Sequence, residues 1–173
     1  MVATAVQSAE MDISGQLKEQ CMPASKNTVN VLQHKRLVAS YIERVASDLF
    51  KRAIEHDNTK FMPEEFDAYE EALPKFEQTT YGSEAYKQVC RDIKPAIQHH
   101  ITSNRHHPEY FGEAGINGMT LIDLIEMVCD WIAASQRTEK SNDIYQGLEI
   151  NKERFHIDDQ LFQIIKNTVD SLK

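Results

Sequence analysis

Apolar positions recur along this chain at helical spacing, and no segment alternates with the period of two that a half-buried strand requires. Val38, Ile42, Val45 and Leu49 step by four, three and four residues, which predicts a helix from about Val31 with a buried stripe. Phe61-Met62-Pro63-Glu64-Glu65-Phe66 reads as a loop with Pro63 in the first turn of a new helix. That helix runs to about Leu73, where Pro74 ends or bends it. Tyr81-Gly82-Ser83 predicts a turn, and Glu84 to about Thr102 a helix interrupted at Pro95. Irregular backbone succeeds it over His106 to Gly118, which carries Pro108, Gly112 and Gly115. Thr120 suits an N-cap, with Leu121, Leu124, Ile125, Val128 and Ile132 on one face of the helix behind it. Residues 136–147 read as loop, and a last helix starts near Asp158 with a stripe of Leu161, Ile164, Ile165, Thr168 and Leu172. Residues 1–28 are polar and mixed, a flexible or peripheral arm. The expected fold is all-α, a single-domain helical bundle over residues 29–173.

Composition narrows the classes of partner. At 173 residues the chain is long enough for one domain with a proper core. Nineteen Lys and Arg against 27 Asp and Glu give a net charge of −8, which opposes general binding to long nucleic acid. A local basic pocket for a small phosphate is compatible with that balance. Three cysteines without CxxC spacing cannot close a disulfide set, which favours a reducing compartment. No apolar run reaches the roughly 18–20 residues that span a bilayer. The first residues lack the charged-then-apolar layout of a signal peptide, so the expected location is cytoplasmic, with no membrane partner.

The chemistry is concentrated in histidine and acid. Six of the seven histidines are His34, His56, His99, His100, His106 and His107. Imidazoles and carboxylates together bind divalent metals while leaving positions open to water. His34 and His56 are 22 residues apart, or about 33 Å along one straight helix at roughly 1.5 Å per residue. Sharing an ion therefore requires a fold-back between them, for which Ala46-Ser47-Asp48 is the best place. His56-Asp57 offers one nitrogen and one oxygen anion, and Lys60 just beyond is placed for a phosphate oxygen. Neighbours on a helix point about 100° apart, so one of His99 and His100 faces inward, and His100 is favoured. Between His106 and His107 the choice stays open. Asp123, Glu126 and Asp130 at i, i+3 and i+7 stack along one helix stripe, costly unless a metal or cations balance them.

These pieces combine into a resemblance. His34-Lys35, His56-Asp57-x-x-Lys60-Phe61, Glu64 or Glu65 with Tyr69, His99-His100 with Asn104-x-His106-His107, and Glu126-Met127-x-x-Asp130-Trp131 look like a widespread family of small, poorly characterised bacterial and phage proteins. That family is in turn distantly similar to the HD-domain metal-dependent phosphohydrolases. The resemblance implies an HD-like helical domain whose core ligands are His34, His56, Asp57 and Asp130, joined by His100. One or two divalent ions (Mn, Mg, Co, Zn or Fe) are implied, because the two His pairs stand closer together than in two-metal HD enzymes.

The function so implied is hydrolysis of a phosphate ester on a nucleotide or similar small phosphorylated metabolite, through a metal-activated water. Glu126, or else Asp123, would orient that water or relay its proton, with Glu126 the one assigned to catalysis. Lys35, Lys60, Asn104, Arg105 and one of His106 and His107 would hold phosphate oxygens and protonate the leaving group, with His107 assigned to catalysis and His106 to substrate. The competing readings are an HD-type di-iron oxygenase and a non-enzymatic protein that sequesters a nucleotide. A homodimer through the terminal helices is compatible with a chain of this size.

Overall fold

The computed structural model describes residues 25–136 and 143–172, all helix, turn or loop, with no strand among them. By compactness the chain divides into two units, Met1–Arg44 and Val45–Lys173. Most of the expected N-terminal arm lies outside the described residues. Of its last residues, Lys26 to Thr28 already form the first turn of a helix, with Ser25 Oγ accepting from the Thr28 N–H.

The first described helix, α1 (Lys26–Glu55), is unbroken. The break expected at Ala46-Ser47-Asp48 is absent. Ser and Asp cost a helix only a few tenths of a kcal/mol each, and the stretch has no Gly or Pro to force the chain out. The expected buried stripe is absent too, because no residue of α1 is buried. Val38, Ile42 and Val45 are all exposed.

In the second unit, α1 ends at Glu55, and Asp57 adopts a left-handed conformation (φ 57°) that turns the chain into a short 3-10 turn, Asn58–Phe61. Asp tolerates this region better than most residues. Helix α2 (Phe66–Phe76) begins three residues after Pro63 and carries Pro74 in its last turn. Ser83 caps α3 (Glu84–Asp92) by accepting from the Tyr86 N–H, and Pro95 sits in the first turn of α4 (Lys94–Ser103). The expected interruption thus falls at Ile93. Two 3-10 pieces over Pro108–Gly118 are kinked at Gly112 and Gly115, which take positive φ. Thr120 caps α5 (Leu121–Ser135) as expected, and Asp123 completes a capping box.

Helix α6 (Ile144–Phe155) starts inside the stretch expected to be loop. Asp143 caps it by accepting from the Tyr145 N–H, and Ile144 and Leu148 bury one face one turn apart. Helix α7 (Asp159–Leu172) starts where expected, with Asp158 accepting from the Leu161 N–H. Its buried face is Phe162, Ile165 and Val169, one position round from the expected stripe, leaving Ile164 and Leu172 exposed. Leu121 and Ile125 on α5 are likewise exposed.

Two apolar clusters hold this unit. Val128, Ile144, Leu148, Ile157, Phe162, Ile165 and Val169 join α5, α6 and α7. Each such side chain contributes roughly 1.5–3 kcal/mol on burial. Ala72, Val89 and Ile93, with Tyr69, Phe76 and Ile97 against them, join α2, α3 and α4. The two clusters anchor α4, which carries His100, and α5, which carries Glu126 and Asp130.

Candidate metal centre

Four stretches deliver the polar side chains. The turn after α1 presents His56, Asp57 and Lys60, α4 presents His100, the link after α4 presents His106 and His107, and α5 presents Glu126 and Asp130. Asn104 fixes the link by donating from Nδ2 to Thr59 Oγ1 (2.8 Å) and to the His100 carbonyl (2.8 Å).

Ring nitrogens of His100, His106 and His107 and a carboxylate oxygen of Asp57 lie within 4.8 Å of one another. Asp57 Oδ1 is 3.2 Å from His100 Nε2 and 3.4 Å from His106 Nε2. In a tetrahedral site with bonds of about 2.0–2.1 Å, neighbouring donors stand roughly 3.3 Å apart, so the spacing fits an ion. Asp57 Oδ1, His106 Nε2 and His107 Nε2 are all buried and have no hydrogen-bond partner among the described residues. An orphaned buried polar atom costs about 1–3 kcal/mol, and a cation would satisfy three at once.

A second group shares the same carboxylate. His56 Nε2 is 3.6 Å from Asp57 Oδ2 and 3.6 Å from Asp130 Oδ1. These side chains keep 21–28% of their surface exposed, whereas His100 and His106 are buried. One position is enclosed, the other reaches the surface.

Behind the rings stand two carboxylates. Glu65, fully buried, lies with Oε1 2.7 Å from His99 Nδ1 and Oε2 2.9 Å from His100 Nδ1. Glu126 Oε1 lies 3.0 Å from His56 Nδ1 and 3.2 Å from His106 Nδ1, while its Oε2 accepts from Arg52 Nη1 at 2.8 Å. An ionised carboxylate only accepts, so a ring that is neutral at these contacts carries its proton on Nδ1 and turns its Nε2 lone pair away from the carboxylate.

The cluster's own electrostatics favour ionised acids and, at His56 and His106, protonated rings, so a bound cation would have to displace ring protons. Burial opposes ionisation of Asp57, but the His100 and His106 imidazoles and the Lys60 ammonium outweigh it and hold the carboxyl well below its usual range. Burial likewise opposes ionisation of Glu126, and its contacts with His106 and His56 outweigh it. Hydrogen bonding to Asp130 and Glu126 raises His56 to about 10. Burial, with the neighbouring His106 and His100, lowers His107 to about 3 and keeps its ring neutral.

Of the expected ligands, His56, Asp57, His100 and Asp130 come together. His34 does not join them. It sits within unbroken α1, without the fold-back its role required, and is in none of the groups able to hold an ion among the described residues. Lys35 beside it is exposed on the same helix. His106 and His107, expected as substrate and leaving-group contacts, both belong to the group with Asp57 and His100 that could hold an ion. Glu126, expected to orient the water, contacts the Nδ1 side of two rings.

Arg105 is committed elsewhere. Its Nε and Nη2 donate to Asp123 at 3.0 Å each, and Asp123 also accepts from Arg52 Nη2 and the Thr120 N–H. Asn104 likewise directs its amide to Thr59 and His100. Lys60 does reach the centre, 2.5 Å from Asp57 Oδ2. The sequence pattern did not reveal the parts played by Glu65 and Arg52, whose partners lie 34–35 and 71–74 residues away.

Residues 24–171 match the profile of DUF5662, a family of unknown function. The chain belongs to that family. The matched span takes in every residue of the centre of this DUF5662 protein. No curated protein and no solved structure matches it.

Proposed function

We propose that this protein is a metal-dependent phosphohydrolase of HD-like design, acting on a nucleotide or similar small phosphorylated metabolite. The observation that carries the metal is the convergence of three orphaned buried atoms, Asp57 Oδ1, His106 Nε2 and His107 Nε2, with His100 Nε2 beside them. Asp57, His100, His106 and His107 would hold one cation, and Asp57, His56 and Asp130 a second. A divalent cation there would make a water nucleophile more acidic than in bulk and polarise a phosphoryl oxygen.

The chain's own residues do the rest. Glu65 and Glu126 hold the rings in their ligating orientation through Nδ1. Lys60, part-exposed beside Asp57, is the cation nearest the open position and supplies charge for a phosphate oxygen. Asp130 borders the exposed side, where its carboxylate would help hold a cation and is placed to accept a proton.

Four imidazoles and two carboxylates also suit iron, which keeps a di-iron oxygenase as the second reading. Metal analysis of the purified protein, followed by a screen against nucleoside mono- and triphosphates with Mn, decides between them. Phosphate release with Mn alone is expected. Oxygen consumption that requires iron would favour the second reading, and stoichiometric capture without product would contradict both.

A further inference from the structure

The two oxygens of Asp57 are treated oppositely. Oδ1 is buried and has no hydrogen-bond partner among the described residues, although it faces three imidazoles. Oδ2 carries the Lys60 ammonium at 2.5 Å. Resting on the metal reading above, we infer that Lys60 is a tethered competitor for one of two unequal cation positions. The enclosed position of His100, His106 and His107 fills first. The position of His56 and Asp130 fills only when Lys60 gives up its oxygen.

Lys60 is held for this task by its own backbone. Its N–H donates to the Asp57 carbonyl (2.9 Å), closing the 3-10 turn that the left-handed Asp57 begins. The ammonium therefore returns to the carboxylate three residues back whenever nothing else neutralises it. On its other side it lies 5.3 Å from the centroid of the Tyr69 ring, whose face is a resting place for a displaced ammonium.

The donor sets differ in the same sense. The enclosed position has four donors, two of them on fully or nearly buried side chains, and no fixed cation against its carboxylate oxygen. The open position has three donors, one of which is already paired with Lys60, and His56 is itself held by Glu126. A dication there meets an ammonium a few ångströms away, and like charges at that range weaken binding even near the surface. Removing the ammonium should tighten the open position by about tenfold or more, because Coulomb repulsion between +2 and +1 at about 5 Å is of that order even in water.

The test is titration of the full chain, stripped of metal, with Mn alone, read by calorimetry and by electron paramagnetic resonance, for wild type, Lys60→Met, Lys60→Gln and Lys60→Arg. Wild type is expected to show one tight equivalent and a second at least about tenfold weaker. In Lys60→Met and Lys60→Gln the second constant tightens by about tenfold, the first stays within about twofold, and the spin-coupled pair signal appears at lower Mn. Lys60→Arg keeps the charge and the weak second step. Equal constants in wild type, or two neutral variants that shift neither constant or both alike, overturn the inference while leaving the metal centre standing. Absence of any tight Mn in folded wild type overturns the centre itself, and the inference with it.

Discussion

Asp57 is shared by two of the groups that could hold an ion, and each of its oxygens faces a different set of donors. On the function proposed above, Asp57→Ala should remove metal from both positions and abolish phosphate release, measured by metal analysis and by turnover with Mn. Glu65 acts one step back, touching only the Nδ1 side of His99 and His100. Glu65→Gln should weaken metal binding by about 10- to 100-fold, measured by chelator competition, although the residue touches no ion. Asp123 gives a pH signature apart from the centre. Burial opposes its ionisation, but hydrogen bonds from Arg105, Thr120 and Arg52 prevail and lower it to about 2. A depressed carboxyl stabilises the fold above its unfolded value of 3.8 and loses that contribution as pH falls through the folded value. The stability gap between wild type and Asp123→Asn should be full above about pH 4 and close toward pH 2 in acid denaturation.

Among the elements, α5 and the kinked segment before it place Asp123, Glu126 and Asp130. The capping box is a local device, and Thr120→Ala should cost about 1 kcal/mol in denaturant melting. Gly112 and Gly118 are needed for different reasons. Gly112 has φ +58° with open space around it, so Gly112→Ala should destabilise through backbone strain alone, by about 1–3 kcal/mol. A Cβ on Gly118 would stand 2.8 Å from Phe111 Cβ, a clash that a rotamer change cannot relieve.

Local signals of this kind were legible. Thr120, Pro95 and Asp158 each mark a helix start through chemistry within a few residues. That the His56-Asp57 pair, His100 and Asp130 would come together was legible because residue type and grouping limit what they can do. What escaped depends on distant pairing. Whether Arg105 meets a phosphate or Asp123, and whether Glu126 faces the centre or the back of two rings, is set by how α1, α4 and α5 abut. The fold-back proposed for His34 failed because Ser47 and Asp48 are weak breakers on an otherwise helical run.

Over the whole Val45–Lys173 unit, the centre gathers side chains from the end of α1, α4, the link behind it and α5, and leaves three of their buried polar atoms without partners. A cation that satisfies those atoms couples metal binding to folding of this unit. A ligand at a thousandfold excess over its Kd stabilises by about 4 kcal/mol, so Mn should raise the melting temperature and chelator should reverse the rise.

The most direct measurement is metal content and Mn retention of the purified chain beside Asp57→Ala, with circular dichroism confirming that both are folded. The account predicts at least about one retained equivalent in wild type, as expected for a set of four converging donors, and none in the variant. Equal retention by both, or none by folded wild type, would contradict it.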